Sequence, residues 1–284
     1  MTRRIDAHQH YWEPRRGDYG WMPADDPVLS RSYRPADLAP QLEGAGFEAT
    51  VLVQAAPTPD ETEYLLGIAD ACPTVAKVVG WIDFERPDQR ARLERFAAHP
   101  KFAGIRPMIQ DIADVDWMLR PDLQWAFAAV ADLDLTFDAL GFSRHLDNFL
   151  TVFRRNPGLR VVVDHAMKPR IRDRGTAADD FSAWAAGMAA IARETQAFCK
   201  LSGLVTEAEP GWTVEALRPT VDHLLDTFGP RRLMFGSDWP VCRLRTEYAG
   251  WVSAAEALTA DLGAADRAEI FGGTAARFYR IGRR

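Results

Sequence analysis

The sequence predicts a single α/β domain that folds as a (β/α)₈ barrel of the TIM type. Short apolar runs alternate eight times with segments of helical periodicity, and this alternation implies parallel strands. Eight strand–helix units in 284 residues match such a barrel in size. An open doubly wound sheet is the alternative, but no glycine-rich phosphate-binding turn follows an early strand. No linker or break in composition divides residues 1–284, so we interpret them as one domain.

The predicted strands are short, mainly apolar runs, which is the pattern of strands buried on both faces. The first passes from Ile5 into the polar pair His8 and His10, and the last is apolar up to Phe235 and ends near Asp238. In order, the strands are predicted at residues 5–12, 49–55, 77–83, 102–109, 133–140, 159–165, 198–202 and 232–237.

Between the strands, apolar residues recur at helical spacing, as they do at Tyr64, Leu65 and Ile68. Glycine near residue 44 and the pair Gly229-Pro230 supply the ends of two of these helices. In order, helices are predicted at residues 37–42, 60–71, 88–98, 122–131, 145–156, 179–195 and 214–228, and two more begin at Thr246 and Ala264.

A long irregular segment, residues 12–40, follows the first strand and is rich in proline, glycine, aspartate and aromatic residues. A connection of this length inside a compact domain is usually functional. Its aromatic residues Trp12, Tyr19, Trp21 and Tyr33 either cover a pocket or pack on one another as a surface loop.

The composition is that of an ordinary globular protein, with 47% hydrophobic and 26% charged residues. A formal net charge of −6, with basic residues interspersed among acids, argues against nucleic acid or an anionic membrane as a partner. We expect neither a signal segment nor a membrane span, because no apolar run is long enough. The three widely spaced cysteines, Cys72, Cys199 and Cys242, predict reduced thiols in a cytoplasmic protein.

Polar residues stand near the C-terminal end of every predicted strand, where (β/α)₈ barrels carry their active sites. Charged residues are costly to bury at such positions unless they are paired or functional. From the first strand to the last, these residues are His8 and His10, Gln54, Trp81 and Asp83, Arg106, Asp138, Asp164 and His165 with Lys168 beyond them, Lys200 and Ser202, and Asp238 and Trp239.

His8 and His10 are two residues apart, so on a strand both imidazoles point to the same face. Two imidazoles at one point have no packing rationale and indicate a functional or metal-binding pair. Asp238 follows an apolar strand, where a lone carboxylate needs a cation or a water molecule to activate. We interpret these residues as catalytic candidates, together with His165, which taken alone also fits a hydrogen-bonded core histidine.

Other strand-end residues have a structural alternative. Arg106 either contacts substrate or holds Asp138 or Asp83 in an ion pair. Lys168 either positions substrate or pairs with a neighbouring acid, and Trp239 is either a wall of the site or a platform for a sugar ring. Histidines in helical or loop segments are expected at the surface, and these are His99, His145 and His223.

Five motifs resemble those of the amidohydrolase superfamily, and more narrowly those of its "amidohydrolase 2" lactonase branch. They extend from Ile5 to Tyr279 in the order expected for that branch. They are Ile-Asp-Ala-His-Gln-His-Tyr-Trp, Asp-His-Ala-Met-Lys-Pro, Cys-Lys-Leu-Ser-Gly-Leu, Phe-Gly-Ser-Asp-Trp-Pro-Val and Gly-Gly-Thr-Ala-Ala-Arg-Phe-Tyr. The resemblance implies a distorted (β/α)₈ barrel. In it, the family's His-x-His pair, strand-six histidine and strand-eight aspartate correspond to His8 and His10, His165, and Asp238.

One departure from the superfamily bears on metal content. Binuclear members carry a bridging lysine on the fourth strand and a histidine on the fifth, where this sequence has Arg106 and Asp138. The resemblance therefore implies either no metal or one divalent ion, with zinc the first choice. Such an ion would be held by His8, His10 and Asp238, with or without His165.

The branch implies a hydrolase that opens a small lactone. Asp238 would act as general base, while the histidines, or a metal that they hold, would polarise the carbonyl. We expect an aldonolactone such as L-fucono- or L-rhamnonolactone, because the remaining strand-end residues offer acids, amides, cations and aromatic faces. The expected substrate contacts are Arg106, Gln54, Trp81, Asp83, Asp138, Lys168 and Trp239.

Several alternatives stay open at this stage. A pyrone-type dicarboxylate lactonase would need clustered arginines, for which Arg106, Arg243 and Arg245 are the candidates. A metal-dependent amidohydrolase or decarboxylase would use the same scaffold with a firmly bound zinc. A barrel that only binds a ligand is disfavoured, because the base and the paired histidines are present. A homo-oligomer is compatible with the sequence.

Overall fold

The computed structural model describes residues 3–282 and confirms the predicted eight-stranded parallel barrel. The strands follow one another around the sheet in chain order, and every ladder between consecutive strands is parallel. They are β1 (Ile5–Gln9), β2 (Ala49–Val53), β3 (Val75–Gly80), β4 (Phe102–Ile105), β5 (Thr136–Ala139), β6 (Arg160–Val163), β7 (Phe198–Leu201) and β8 (Leu233–Phe235).

The helices surround the barrel. Each predicted helix appears, with boundaries shifted by at most a few residues, and two short helices at Leu204–Glu207 and Thr274–Phe278 appear in addition. In chain order, the helices are α1 (Pro35–Gly44), α2 (Pro59–Ala71), α3 (Arg90–Ala97), α4 (Gln124–Asp132), α5 (Leu146–Arg155), α6 (Phe181–Glu194), α7 (Leu204–Glu207), α8 (Val214–Phe228), α9 (Tyr248–Leu258), α10 (Ala264–Ala268) and α11 (Thr274–Phe278). None of the helices within residues 3–282 combines the length and apolar character needed to cross a lipid bilayer.

Most strands are shorter than the apolar runs that predict them. β4 ends at Ile105, although the run continues to Ile109, and β3 ends at Gly80. Residues beyond these ends remain buried, as Ile82 and Ile109 are, because they pack around the mouth of the barrel. Burial alone therefore overestimates the length of a strand that opens into a site.

β1 and β8 close the barrel through a few main-chain hydrogen bonds. The amide of Asp238 donates to the carbonyl of His8 at 2.8 Å, and the amide of His10 donates to the carbonyl of Trp239 at 2.7 Å. Gly236 permits this approach, because a Cβ there would lie 2.6 Å from the Cβ of His8. Closure thus brings the two ends of the chain together.

Asp6 reinforces the closure from inside the protein. Its Oδ1 accepts hydrogen bonds from the amides of His8 at 3.1 Å and Ser237 at 2.8 Å. The hydroxyl of Tyr248 donates to Oδ2 at 3.3 Å. Burial raises the pKa of Asp6 to about 6, although these hydrogen bonds favour the charged form. One carboxylate therefore bridges β1 and the segment that follows β8.

The segment 12–40 is a self-packed aromatic cluster that also reaches the mouth of the barrel. Trp12 and Tyr33 are fully buried and exchange main-chain hydrogen bonds of 3.1 and 2.9 Å. Trp21 is 36% exposed, and its Nε1 donates to the carbonyl of Ala55 at 2.6 Å. Both interpretations of this segment therefore apply to different parts of it.

The expectation that three histidines lie at the surface is wrong for His145. Its side chain is fully buried, and its Nδ1 accepts a hydrogen bond from the amide of Phe142 at 3.0 Å. Burial lowers the pKa of His145 accordingly. His99 and His223 are partly exposed. A histidine just before a helix can thus be buried as a local hydrogen-bond acceptor, and sequence position alone does not indicate this.

Candidate active site

Three histidines and one carboxylate converge at the C-terminal ends of β1, β6 and β8. Oδ1 of Asp238 lies 3.3 Å from Nε2 of His10 and 3.8 Å from Nε2 of both His8 and His165. All four residues are buried, with exposures of 4% or less. The side chains that the sequence marks as catalytic candidates therefore share one site.

Asp238 leaves β8 in a left-handed backbone conformation, with φ of 55°. Aspartate adopts this conformation more readily than most other residues, because its short polar side chain can hydrogen-bond locally. The amide of the next residue, Trp239, donates to Oγ of Ser237 at 3.0 Å, and Ser237 is itself held by Asp6. The position of the Asp238 carboxylate therefore depends on the same contacts that close the barrel.

A left-handed turn carries His165 and Lys168 to the site. The four consecutive residues 165–168 have φ values of 51°, 49°, 58° and 50°. Each such residue costs roughly 1–2 kcal/mol, so the turn needs support from its surroundings. Nε1 of Trp184 donates to the carbonyl of Ala166 at 2.7 Å. Gly203 leaves room for the imidazole, since a Cβ there would lie 2.6 Å from Nδ1 of His165.

Hydrogen bonds behind the rings orient two of the histidines. Nδ1 of His10 lies 2.8 Å from the carbonyl oxygen of Val53, and Nδ1 of His165 lies 2.9 Å from Oγ of Ser202. A carbonyl oxygen only accepts, so Nδ1 of His10 donates. Such partners fix the orientation and the tautomer of a functional imidazole. Nε2 of a neutral His10 ring therefore carries no hydrogen, so its 3.3 Å contact with Oδ1 of Asp238 is a hydrogen bond only when the pair holds a proton.

Burial and neighbouring charges set the ionisation of the four residues. Burial lowers the pKa of His165 to about 4 and also lowers the pKa of His10. Burial, with the charge of Lys200, holds the pKa of His8 well below its ordinary value. Burial raises the pKa of the Asp238 carboxyl, but the positive charges that the surrounding histidines carry in acid, with a hydrogen bond from His10, outweigh that effect and lower it. At neutral pH the site therefore holds an ionised carboxylate among uncharged imidazoles.

A buried ionic cluster supports His8 from below. The ammonium of Lys200 lies 3.1 Å from Nδ1 of His8, 2.5 Å from Oδ2 of Asp138 and 2.9 Å from Oδ1 of Asp164. The hydroxyl of Tyr279 donates to Oδ2 of Asp138 at 2.7 Å. Charges at such depth are tolerated because they are paired and hydrogen-bonded.

The expectation that Asp138 and Trp239 contact substrate is corrected by their positions. The Asp138 carboxylate is fully buried below the histidines, where it accepts hydrogen bonds from Lys200 and Tyr279. Trp239 is 2% exposed, and its ring packs against Tyr33 with 5.0 Å between centroids. Both residues therefore support the site from behind and do not line it.

Gln54 is a further correction, because it binds Arg106 and not the open part of the site. Its side-chain Nε2 donates to the main-chain carbonyl of Arg106 at 2.6 Å, and the main-chain carbonyl of Gln54 accepts from Nη2 of Arg106. Gln54 is fully buried at the end of β2. It fixes the backbone and the guanidinium of Arg106 at once.

A cavity of about 100 Å³ opens over the four residues, between the barrel mouth and the segment 12–40. Its polar walls include His10, His165, Asp238, Arg106 and Lys168. Trp21 and Met108 contribute apolar surface. The cavity therefore places a small ligand against the carboxylate, the imidazoles and two cations at the same time.

Two larger clefts adjoin this cavity. A cleft of about 660 Å³ shares Trp21 and Met108 with it and contains Trp81 and Asp83, so these two predicted contacts would meet only a ligand that extends outward. A cleft of about 460 Å³ shares Lys168. At that boundary, Nζ of Lys168 donates to Oε1 of Gln110 at 2.5 Å. Gln110 lies in a single 3₁₀ turn after β4, and no sequence pattern marks it.

The donor set has the chemistry of a site for one metal ion. One ligand atom from each of His8, His165 and Asp238 lies within 4.8 Å of the other two. Imidazole and carboxylate groups are common zinc ligands, so these residues fit such an ion. The predicted set of His8, His10 and Asp238 is equally compact, since Nε2 of His10 lies 3.2 Å from Nε2 of His8 and 3.3 Å from Oδ1 of Asp238. Nη1 of Arg106 lies 3.3 Å from Nε2 of His8, so a fixed cation competes for that nitrogen.

Comparisons with known proteins agree over the whole chain. The sequence profile of the family described as Amidohydrolase matches residues 5–281. A protein named L-fucono-1,5-lactonase from Burkholderia ambifaria is 44% identical over 287 residues, covering 100% of this chain and 97% of the relative. One of the same name from Burkholderia multivorans is 38% identical over 285 residues, covering 98% and 96%. The crystal structure of an amidohydrolase from Burkholderia multivorans with bound zinc superposes with a TM-score of 0.93 at 37% identity, covering 99% of this chain and 100% of that one.

Proposed function

The chain belongs to the amidohydrolase family, and we propose that it is a hydrolase that opens a small sugar lactone. Full-length similarity to two proteins named L-fucono-1,5-lactonase supports an aldonolactone such as L-fuconolactone as substrate. The single observation that carries the proposal is the buried Asp238 carboxylate, which faces three imidazoles in a cavity of about 100 Å³.

Asp238 is proposed as the general base. Its carboxylate is ionised at neutral pH and lies in the cavity wall, where a water molecule between it and the substrate would be within reach. Oδ of Asp238 takes one proton from this water as the water oxygen bonds to the lactone carbonyl carbon. The carbonyl oxygen then carries the negative charge of a tetrahedral intermediate.

The intermediate collapses when the bond between the carbonyl carbon and the ring oxygen breaks. The protonated Asp238 hands its proton to the departing ring oxygen, which becomes a hydroxyl group. The other product is a carboxylic acid, which ionises at neutral pH and releases one proton to solution. One carboxylate thus serves as base and then as acid, which a lactone permits because its ring opens without release of a separate fragment.

The imidazoles orient the reacting groups. His10 and His165 line the cavity beside Asp238. Nδ1 of His10 is hydrogen-bonded to the carbonyl of Val53, and Nδ1 of His165 to the hydroxyl of Ser202. His8 lies deeper in the barrel, and the ammonium of Lys200, 3.1 Å from its Nδ1, holds its ring in place. When bound, one divalent ion on His8, His165 and Asp238 would polarise the carbonyl and lower the pKa of its water.

A hydrolysis screen tests the proposal. The full-length protein is mixed with a library of sugar lactones in weak buffer, and a pH indicator follows the release of acid. We expect turnover of L-fucono- or L-rhamnonolactone, with faster rates than for unsubstituted lactones. A parallel series after dialysis against a chelator shows whether a metal contributes. Absence of turnover across the sugar lactones would overturn the proposal.

The dicarboxylate alternative receives less support from the arginines. Arg243 binds the Glu247 carboxylate at 3.1 Å and the Tyr33 hydroxyl at 3.1 Å. Arg106 is the guanidinium among the walls of the cavity, so the cluster needed for two carboxylates is not assembled in that part of the structure. Pyrone dicarboxylate belongs in the screen as a comparison substrate.

We further infer a cytoplasmic location from the three unpaired cysteines, of which Cys199 and Cys242 are buried. We propose that the protein works alone or as a homo-oligomer, because the site is formed by one chain. Gel filtration with light scattering determines the oligomeric state, and cell fractionation with an antibody tests the location.

A further inference from the structure

We propose that Arg106 is a catalytic residue that donates a hydrogen bond to the lactone carbonyl oxygen as negative charge develops there. The inference rests on the proposed function and assigns to Arg106 a role beyond holding substrate. It makes the guanidinium the fixed cation of the reaction.

Arg106 stands where such a cation is needed. It follows β4 directly, is 4% exposed, and lines the cavity together with His10, His165 and Asp238. A guanidinium remains charged throughout the accessible pH range. In a buried site, a positive charge stabilises a developing oxyanion more strongly than it would in water.

The guanidinium has more donors than partners. It carries five N–H groups. Nη2 donates to the carbonyl of Gln54, while Nη1 lies 3.3 Å from Nε2 of His8 and 3.4 Å from Oδ2 of Asp164. Nε is buried and has no hydrogen-bond partner among residues 3–282. A buried donor without an acceptor is costly. Because Arg106 lines the cavity and the contacts of its Nη1 are 3.3 and 3.4 Å long, the guanidinium retains hydrogen-bonding capacity for an acceptor on the ligand.

The contact with Asp164 does not account for Arg106 as a structural ion pair. At 3.4 Å it is longer than a charge-assisted hydrogen bond, and it is not the paired fork that arginine makes with a carboxylate. Lys200, which also pairs with Asp138, is the nearer cation to Asp164 at 2.9 Å. The longer contact with Asp164 engages only Nη1 of Arg106 and leaves its other donors free of that carboxylate.

Arg106 is held ready before substrate arrives. Nε2 of Gln54 donates to the main-chain carbonyl of Arg106, and the main-chain carbonyl of Gln54 accepts from Nη2 of Arg106. The main-chain amide of Arg106 donates to the carbonyl of Gly80 at 2.9 Å. A donor fixed in advance needs no reorganisation when the charge develops, which is the condition for strong oxyanion stabilisation. Gln54 acts through Arg106 and is thus a positioning residue.

The other cations near the site are less well placed. Lys200 lies behind His8 and directs its ammonium at His8, Asp138 and Asp164. Lys168 stands at the rim and donates to Gln110. Among the uncharged imidazoles, His10 commits its Nδ1 hydrogen to Val53. Arg106 is therefore the cation whose surroundings leave it available to a carbonyl oxygen.

Steady-state kinetics of Arg106→Ala and Arg106→Lys on the preferred lactone test this role. An interaction made mainly in the transition state lowers kcat and leaves KM nearly unchanged. We expect kcat to fall by about 10²–10³-fold in Arg106→Ala, the size found for loss of one oxyanion donor. Arg106→Lys keeps the positive charge but loses the planar set of N–H donors, so we expect its kcat to fall less than that of Arg106→Ala. Arg86→Ala removes an exposed arginine paired with Asp88 and serves as the control.

Chemical rescue separates a catalytic from a structural role. Guanidinium chloride at millimolar concentration should restore part of the kcat of Arg106→Ala and should not affect Arg86→Ala. Circular dichroism and thermal melting report whether each variant folds. If Arg106→Ala does not fold, Arg106→Lys carries the test, with a lowered kcat at unchanged KM expected. A kcat within about threefold of wild type in the folded variants would overturn the role.

Metal analysis completes the experiment. Zinc content is measured for the wild type before and after chelation, alongside kcat. Chelated protein that keeps its kcat supports Arg106 as the electrophile. Loss of turnover on chelation, restored by zinc, would assign the carbonyl to the ion and overturn the role of Arg106 alone. A wild type that opens no lactone under either condition would overturn the proposed function and this role together.

Discussion

The main-chain amide of Asp238 donates a hydrogen bond to the carbonyl of His8 at 2.8 Å. This contact joins the proposed base, from one end of the chain, to the strand that carries two of the site histidines at the other. Because it uses main-chain atoms, the distance between carboxylate and imidazoles depends on how β1 and β8 approach each other. The site is therefore a product of barrel closure, and changes to that closure should affect activity.

Gly236→Ala should disturb this closure. The new methyl group would lie 2.6 Å from Cβ of His8 and 3.2 Å from Cβ of Ser202, and neither atom belongs to the end of a flexible side chain. We expect the free energy of unfolding to fall by about 1–3 kcal/mol, as overpacking does, and kcat to fall with it. Urea denaturation and initial rates measure the two effects. Gly158→Ala is the control, because a methyl group there meets open space; equal behaviour of the two variants would contradict the role of Gly236.

Lys200→Met should destabilise the protein, because it leaves the buried Asp138 carboxylate without its cation and Asp164 with only the 3.4 Å contact to Arg106. Removing one partner of a buried ionic group costs about 3–5 kcal/mol, so we expect the free energy of unfolding to fall by that order. Adding Asp138→Asn to the same chain should recover part of the loss. Arg90→Ala breaks an exposed pair with Glu94 and should have little effect. Urea denaturation of the four proteins decides, and a Lys200→Met variant as stable as wild type would show that the cluster is not needed.

Acid should destabilise the protein through His165. The unfolded side chain titrates near its ordinary pKa of 6.5, whereas burial lowers the folded pKa to about 4. Between these values the unfolded state binds a proton that the folded state does not. The contribution of neutral His165 to the free energy of unfolding is therefore fully present above pH 6.5 and is lost as the pH falls toward 4. The total change in the free energy of unfolding over this range is about 3 kcal/mol.

Comparison with His165→Gln isolates this effect from other groups. Asp6 acts in the opposite direction, since its pKa is raised to about 6 and its burial favours the protonated form. The free energy of unfolding of wild type minus that of His165→Gln should decrease between pH 7 and pH 4.5. Parallel pH profiles for the two proteins would show that His165 does not have the lowered pKa.

Sequence patterns were sufficient for the barrel and for the residues that meet at its mouth. Each of His8, His165 and Asp238 ends or follows an apolar run, and parallel strands necessarily bring such ends to one edge. The alternation of strand and helix determined the order of the strands. These features are local along the chain, so they are visible without knowledge of any long-range contact.

The sequence could not indicate which strand-end residues face the cavity and which face one another. Asp138 and Arg106 end neighbouring strands, yet one is paired with Lys200 at depth and the other reaches the cavity. Tyr279 binds Asp138 from beyond α11, and its contact depends on how the C-terminal segment packs. The left-handed turn at residues 165–168 is likewise unmarked, because no glycine or asparagine occurs in it.

The central claim is that Asp238 transfers the proton during opening of a sugar lactone, and turnover of L-fuconolactone by Asp238→Asn tests it most directly. The amide has nearly the shape of the carboxylate but cannot take a proton, so melting temperature and circular dichroism should stay close to wild type. Loss of a general base lowers kcat by about 10²–10⁴-fold, and we expect a loss in this range. A folded Asp238→Asn protein that opens the lactone at the wild-type rate would contradict the claim.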